Sequence, residues 1–182
     1  MKTGKMAAAD RQQLILSMLK EAAEPITARQ FAETANVSRQ VIVQDISILK
    51  AKNEPILATS QGYIYLNQEK ENVREQMVIV CKHTPEQTQE ELYILVDHGV
   101  CVNDVIVEHP IYGQLTAVLR VSTRKEVDLF IQKIRETNSA YLLTLTDGIH
   151  LHTIEADSRG KLEAACKALA AAGMLVSNAE EA

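Results

Sequence analysis

The sequence predicts an α+β chain in two parts: an N-terminal winged helix-turn-helix domain over residues 1–66 and an α/β sandwich over residues 77–182. Three observations carry this. Residues 27–49 hold two short helical patterns joined by a tight turn, residues 55–66 read as strand, turn, strand, and from Met77 onward apolar runs of strand length alternate with amphipathic helices.

The first domain is defined by its caps. Asp10 is placed to cap a first helix that runs to Ala23, with Leu14, Ile15, Met18 and Leu19 as its core stripe. Thr27 opens a second helix near Ala28 through a capping box with Gln30, and this helix buries Phe31 and Ala32. The turn Ala35-Asn36-Val37 hands over to Ser38, another N-cap residue, with Val37 and Ile42 at staple spacing around it. In the third helix Ile42, Ile46 and Leu49 face the core, and Arg39, Gln40, Val43, Gln44, Ser47 and Lys50 face away. Amide, hydroxyl and guanidinium groups on one helix face suit the major groove of DNA, where Gln and Arg read base edges. A solvated helix face looks the same in isolation, and the flanking pieces decide between the two readings. Pro55–Ala58 and Tyr63–Leu66 flank Thr59-Ser60-Gln61-Gly62 as a wing, with Ser60, Gln61 and Tyr63 at its tip. Arg29, Ser38 and Gln61 complete the predicted contacts to double-stranded DNA.

Length and charge agree with two functions on one chain. The 182 residues suffice for two cores, and the net charge is −5. Residues 1–66 carry eight Lys and Arg against six Asp and Glu, and residues 67–182 carry eleven against eighteen. A mildly basic head on an acidic body fits a DNA-binding module joined to a part that avoids phosphate. Cys81, Cys101 and Cys166 are widely spaced and form no CxxC, so they read as reduced thiols of a cytoplasmic protein without a signal peptide. No apolar run has the length of a membrane span, and residues 1–9 read as a loose tail. The charged stretch 67–76 is the expected linker.

In the second domain Met77–Cys81 is a continuous apolar run of the kind buried on both faces of a sheet. After Thr84-Pro85 a helix runs to Asp97, with Leu92, Ile94, Leu95 and Val96 apolar and His98-Gly99 ending it. Residues 100–108 and 115–121 read as strands around His109-Pro110-Ile111-Tyr112-Gly113. Ser122 or Thr123 caps a helix to Glu136 that buries Val127, Phe130, Ile131 and Ile134. Tyr141–Thr146 and Ile149–Ile154 are expected to form a hairpin around Asp147-Gly148, and Lys161–Ala172 is a last amphipathic helix. The sum is a small sheet with helices packed on one side.

The chemistry lies in the histidines. His150 and His152 are two apart on a strand, so both side chains leave the same face, and His83 ends the first strand of the same domain. Glu91, on the following helix, is within reach to add a carboxylate oxygen. Three imidazoles and a carboxylate suit Zn²⁺, Ni²⁺ or a similar borderline cation, and disfavour Ca²⁺ and Mg²⁺. An HxH pair on a strand also arises as a surface accident. His98 reads as a helix C-cap group near the last carbonyls.

Across residues 11–173 the chain resembles the niacin-responsive transcriptional repressor family (NiaR), in which a winged helix precedes a three-histidine (3H) domain. The likeness is carried by SRQVIVQDISIL at 38–49, His83 with Glu91 eight residues later, DHG at 97–99, EHPIYG at 108–113 and DGIHLH at 147–152. The helix-turn-helix part is shared by many repressors; the second group is far more specific. The resemblance implies a cytoplasmic, homodimeric repressor of NAD-synthesis or niacin-uptake genes. It implies nicotinic acid as co-repressor and one divalent metal per chain, nickel or zinc, held by His83, Glu91, His150 and His152. Gln44 stands where many related recognition helices carry Arg before the Asp that here is Asp45, which leaves base preference open. His109 and Tyr112 are the expected effector contacts.

A repressor of this kind needs an effector that binds the DNA-competent arrangement better than the other one. Two other readings share the residues. A regulator whose signal is the metal itself needs no organic ligand, and a metallohydrolase with a DNA-binding head needs a general base beyond Glu91.

Overall fold

The computed structural model describes residues 6–66 and 74–178. The chain divides between residues 70 and 71 into two compact units, taken in turn below.

The first unit consists of α1 (Ala8–Glu21), α2 (Ala28–Ala35), α3 (Arg39–Ala51) and a hairpin of β1 (Ile56–Thr59) and β2 (Gly62–Tyr65). Thr27 and Gln30 close the expected capping box, and Ser38 Oγ accepts from the Val41 amide at 3.4 Å. Asn36 turns the chain between α2 and α3 with φ of 51°, a left-handed conformation that Asn tolerates better than most residues. The first helix starts two residues before the expected cap. Asp10 therefore sits inside the first turn, where its charge favours the helix N-terminus, and caps nothing. Leu16, not Leu14 or Met18, joins Ile15 and Leu19 in the buried stripe, and all pack with Phe31, Ile42, Ile46, Leu49 and Ile56.

Two features of this unit were not legible in the sequence. Asp45, on α3, is buried and pairs with Arg11 of α1, with Arg11 Nη2 donating to Asp45 Oδ1 at 3.1 Å and a second bond from Nε to Oδ2. Ile26 forms an antiparallel bridge to Tyr63, exchanging N–H···O bonds of 2.9 and 2.8 Å, which ties the wing to the α1–α2 connection. Gly62 makes this approach possible: its φ is +144°, and a Cβ there would lie 2.7 Å from the Ile26 carbonyl oxygen.

Of the expected 67–76 linker, residues 67–73 lie outside the described residues, as do residues 1–5 of the expected tail. Glu75 and Gln76 belong to the first strand of the second unit and not to a linker.

That unit is a five-stranded antiparallel sheet, order β5-β4-β6-β3-β7, made by β3 (Glu75–Lys82), β4 (Cys101–His109), β5 (Gly113–Val121), β6 (Ile149–Ala156) and β7 (Leu175–Asn178). Three helices, α4 (Thr88–Asp97), α5 (Arg124–Thr137) and α6 (Arg159–Ala171), pack on one face of it. The β3 run is accordingly buried on one face only. Met77, Ile79 and Cys81 enter the core while Val78 is 39% exposed, because the antiparallel sheet lacks the second helical layer that a parallel one requires.

The expected hairpin partner of β6 is absent. Residues 142–146 form a 3₁₀ turn, since β6 already pairs with β3 on one edge and β4 on the other and has no edge left to offer. Thr144 and Thr146 bond locally instead, donating to the Tyr141 and Leu143 carbonyls. The edge strand β7 has no counterpart in the sequence reading: four residues after a helix give too short a run to register.

Candidate functional site

The site begins with β6. Its two-residue period sends His150 and His152 from the same face toward α4, and the register places Cys81 of β3 opposite His150 and Ile79 opposite His152. Two residues past Cys81, His83 leaves the end of β3 and the chain turns into α4 through Pro85–Gln87, a 3₁₀ segment capped by Thr84 and Gln87. This turn sets the helix so that Glu91 faces the sheet. Glu91, His83, His150 and His152 are 1%, 7%, 1% and 2% exposed, so the four predicted ligands meet in the interior.

Their geometry is convergent. His83 Nε2 lies 2.7 Å from Glu91 Oε2, His150 Nε2 lies 3.1 Å from Oε1, and His152 Nε2 lies 3.3 Å from Oε2. The ligand atoms of His83, Glu91 and His150 all fall within 4.8 Å of one another; His152 joins them through Glu91. Each ring is held from behind. Nδ1 of His83 faces the Thr84 carbonyl at 2.7 Å, Nδ1 of His150 faces that of Gly148 at 2.9 Å, and Nδ1 of His152 faces that of Asp104. A carbonyl only accepts, so Nδ1 carries the proton in all three rings and the three Nε2 atoms point inward. His83 Nε2 is close to the carboxylate but poorly oriented for a hydrogen bond, and it remains an orphaned buried nitrogen. Inward Nε2 lone pairs, backbone-anchored Nδ1–H groups and one carboxylate form the donor set a Zn²⁺- or Ni²⁺-like cation takes.

The electrostatics agree. Burial pushes the Glu91 carboxyl up, but the charge of His152, the hydrogen bonds of His150 and His152 and the close approach of His83 outweigh it and hold the group well below the ordinary range. Burial depresses His83 and His152, and the adjoining Glu91 carboxylate more than reverses this, so both stand above the ordinary imidazole range. Burial, with the charge and hydrogen bonding of Glu91, pushes the neighbouring Cys81 thiol up.

Beside the cluster lies an apolar cavity of about 150 Å³. Glu91, His150 and His152 form one wall, and Val105, Leu119, Phe130, Ile134, Tyr141 and Leu143 form most of the rest. Phe130 and Ile134, expected in the core, stay half-buried because they line this space. Sequence reasoning did not find the cavity. The only signal for one of its polar members, Thr88, is that it precedes Glu91 by three residues and so shares its helix face.

On the first unit, Arg39, Gln40, Gln44, Ser47 and Lys50 are exposed along α3, as predicted, with Val43 half-buried at the edge of the stripe. Arg39, Gln40, Gln44 and Lys50 make no side-chain hydrogen bond among the described residues and are available to read a groove. Three other predicted contacts have intramolecular roles: Ser38 caps α3, Ser47 donates to the Val43 carbonyl at 2.8 Å, and Arg29 pairs with Glu33 at 2.9 Å. Gln61 is half-buried in the wing turn.

Residues 76–178 match the 3H domain family and residues 11–64 match a helix-turn-helix domain family. The chain belongs to the 3H-domain transcription repressors. It is 53% identical over 173 residues to the transcription repressor NadR of Bacillus subtilis (strain 168), spanning 94% of this chain and 96% of that protein. It is 39% identical over 167 residues to the probable transcription repressor NiaR of Thermotoga maritima, spanning 92% and 94%. As a member of this family the chain is a DNA-binding regulator, and no helix among the described residues is long and apolar enough to cross a membrane.

The two expected effector contacts, His109 and Tyr112, lie apart from the cavity. His109 and Tyr112 sit at the tip of the β4–β5 hairpin, with Tyr112 75% exposed, and neither lines the cavity. His109 Nδ1 accepts from the Ile111 and Tyr112 amides at 3.2 Å, so its role there is to shape the turn. His98 is the predicted helix-end group, its Nδ1 facing the Ile94 carbonyl at 2.7 Å.

Gly148 supports the cluster from beneath. Its carbonyl accepts from His150 Nδ1 and from the His83 amide, its φ is +90°, and a Cβ there would collide with the His83 carbonyl oxygen. Gly148→Ala therefore forces strain and displaces two histidines together. The expected loss of stability is about 1–3 kcal/mol, measured by thermal denaturation of the full chain.

Proposed function

We propose that the chain represses genes of NAD synthesis or niacin uptake, with nicotinic acid as co-repressor and a divalent transition metal, nickel or zinc, at His83, Glu91, His150 and His152. The observation that carries this reading is the pairing of the convergent Nε2–carboxylate cluster with an apolar cavity at its side. The names of the two relatives, NadR and NiaR, support it further.

The cavity argues for a small aromatic acid. A void of about 150 Å³ is known to hold a benzene ring, which admits a pyridine ring with one small substituent. Among the described residues lining it there is no Lys or Arg, so a carboxylate entering the space finds positive charge only at the histidine cluster. A bound metal supplies Lewis-acid charge to hold such a group. The protein's own residues do the rest: the apolar walls exclude water and fit the ring faces, and the three backbone carbonyls keep the imidazoles aimed inward.

On the DNA side, Arg39, Gln40, Gln44 and Lys50 of α3 enter the major groove, and Gln61 in the wing reaches the adjoining backbone or minor groove. The repressor acts as a homodimer on a pseudo-palindrome whose half-sites lie roughly 34 Å apart per helical turn. The effector acts by binding the DNA-competent arrangement more tightly. A pure metal sensor has no use for the cavity, and this favours the organic effector.

The test is a thermal-shift titration of metal-loaded and chelator-stripped protein with nicotinic acid and with nicotinamide. Nicotinic acid at a hundred times its dissociation constant should add about 2.7 kcal/mol of stability, and only when metal is present. A large shift from metal alone, with none from either compound, would select the metal-sensor reading.

A further inference from the structure

We infer that the Thr88 hydroxyl selects the effector, donating a hydrogen bond to the ring nitrogen of a pyridine carboxylate seated in the cavity. The inference rests on the proposed reading of that cavity and assigns a role to a residue outside the metal ligands.

Thr88 is the first residue of α4 and is 6% exposed, and its Oγ1 is buried with no hydrogen-bond partner. Such an orphan is uncommon, because a buried hydroxyl that has left water without gaining a partner destabilises the fold. Among the described residues only one other buried side-chain nitrogen or oxygen shares this condition, His83 Nε2, and it belongs to the ligand cluster. Thr88 lines the same cavity as Glu91, His150 and His152, one helical turn before Glu91.

Matching polar atoms then leaves one pairing. The polar atoms of Glu91, His150 and His152 that face this space are engaged with one another. With no Lys or Arg in the lining, a carboxylate is left to the metal cluster. The remaining polar atom of nicotinic acid is its unprotonated ring nitrogen, which only accepts. Thr88 Oγ1 is the fully buried donor there without a partner, whereas the Tyr141 hydroxyl, the other unpartnered donor among the described lining residues, belongs to a residue that is only half-buried. A ring with carbon in place of that nitrogen leaves the hydroxyl orphaned, which is how a buried donor rejects a near-isostere.

Nicotinate and benzoate differ in that one atom, so isothermal titration of both into the full-length, metal-loaded protein reads the contact directly. Each preparation is assayed for metal, and affinities are compared at equal occupancy. The unaltered protein should prefer nicotinate by about tenfold or more. Thr88→Val should remove most of that preference by weakening nicotinate while leaving benzoate as it was or improved, and Thr88→Ser should keep it. Ligand-free Thr88→Val should melt at the same temperature or higher, since the variant loses an unsatisfied group; a hydroxyl with a structural role would lower it. Thr88→Ala provides a second hydroxyl-free variant if the valine does not fold. An unchanged preference in the hydroxyl-free variants, or its loss in Tyr141→Phe instead, overturns the assignment to Thr88 and leaves the effector reading standing. Failure of the unaltered protein to bind nicotinate overturns both.

Discussion

His150→Ala should reduce metal affinity more than about 100-fold, beyond the 10- to 100-fold typical of changes one shell further out. His150 is central to the cluster. It touches both oxygens of Glu91, at 3.1 and 3.3 Å, and its ring stands nearly perpendicular to those of His83 and His152, with centroids 4.8 Å away in each case. Its removal also strips a partner from a carboxylate that is 1% exposed, so the metal-free variant should unfold more easily than the metal-free parent. Competition with a chelator of known affinity measures the first effect and thermal denaturation the second. The parent should show a matching pH dependence. His83 and His152 are raised above their ordinary value of 6.5, so their contribution to metal-free stability is complete below about that pH and is lost as pH rises through their folded values. Glu91 is depressed below its ordinary 4.5, so its contribution is present above that pH and is lost as pH falls through its folded value. The metal-free second unit should therefore be most stable between these two pH values. Metal must displace the histidine protons, so its affinity should rise with pH by about one to two decades per unit until the rings are neutral. Affinity independent of pH across this range would rule out a histidine-held metal.

The comparison of sequence and structure divides along the range of the interactions. Capping boxes at Thr27 and Thr123, the αL turn at Asn36 and the α3 core stripe are set by residues within a few positions of one another, and each is legible in the sequence. The convergence of His83, Glu91, His150 and His152 was also legible, through HxH on one strand face and the family's motif for His83 and Glu91. What failed depended on distant partners. The 142–146 segment has the composition of a strand but lost the competition for β6 to β3 and β4. Val78 is exposed because of what does not cover it. Beyond sharing a helix face with Glu91, Thr88 gives no signal until α5 and the 142–146 turn enclose the cavity around it. The position of His109 and Tyr112 at the hairpin tip, apart from the cavity, likewise follows from the β4–β5 register and not from any local spacing.

Asp45→Ala should cost about 3–5 kcal/mol, enough to unfold the DNA-binding unit near physiological temperature while the second unit retains its own transition. Asp45 sits on α3 among the residues that face the groove in sequence, yet it turns inward: its side chain is 3% exposed and accepts from Arg11 and, at 3.3 Å, from Gln12. Gln12 in turn accepts from Lys52 Nζ at 3.1 Å, and Arg11 Nη1 donates to the Met6 carbonyl at 3.0 Å, so one network fixes α1 against the middle and the C-terminal end of α3. The alanine leaves an Arg11 side chain that is only 11% exposed without its counter-charge, and most of the penalty comes from that. Apolar replacement of both partners, Arg11→Leu with Asp45→Leu, should recover much of the stability, since two well-packed leucines remove the uncompensated charge. A double-mutant cycle followed by denaturant unfolding separates these cases. If the pair serves mainly to hold α3 in register, the doubly apolar variant will fold but bind operator DNA more weakly than the parent; if it serves stability alone, DNA affinity will return with folding. On the proposed reading the four exposed α3 side chains read bases only as well as the helix is held, so the buried carboxylate beside Gln44 would bear on recognition without touching DNA.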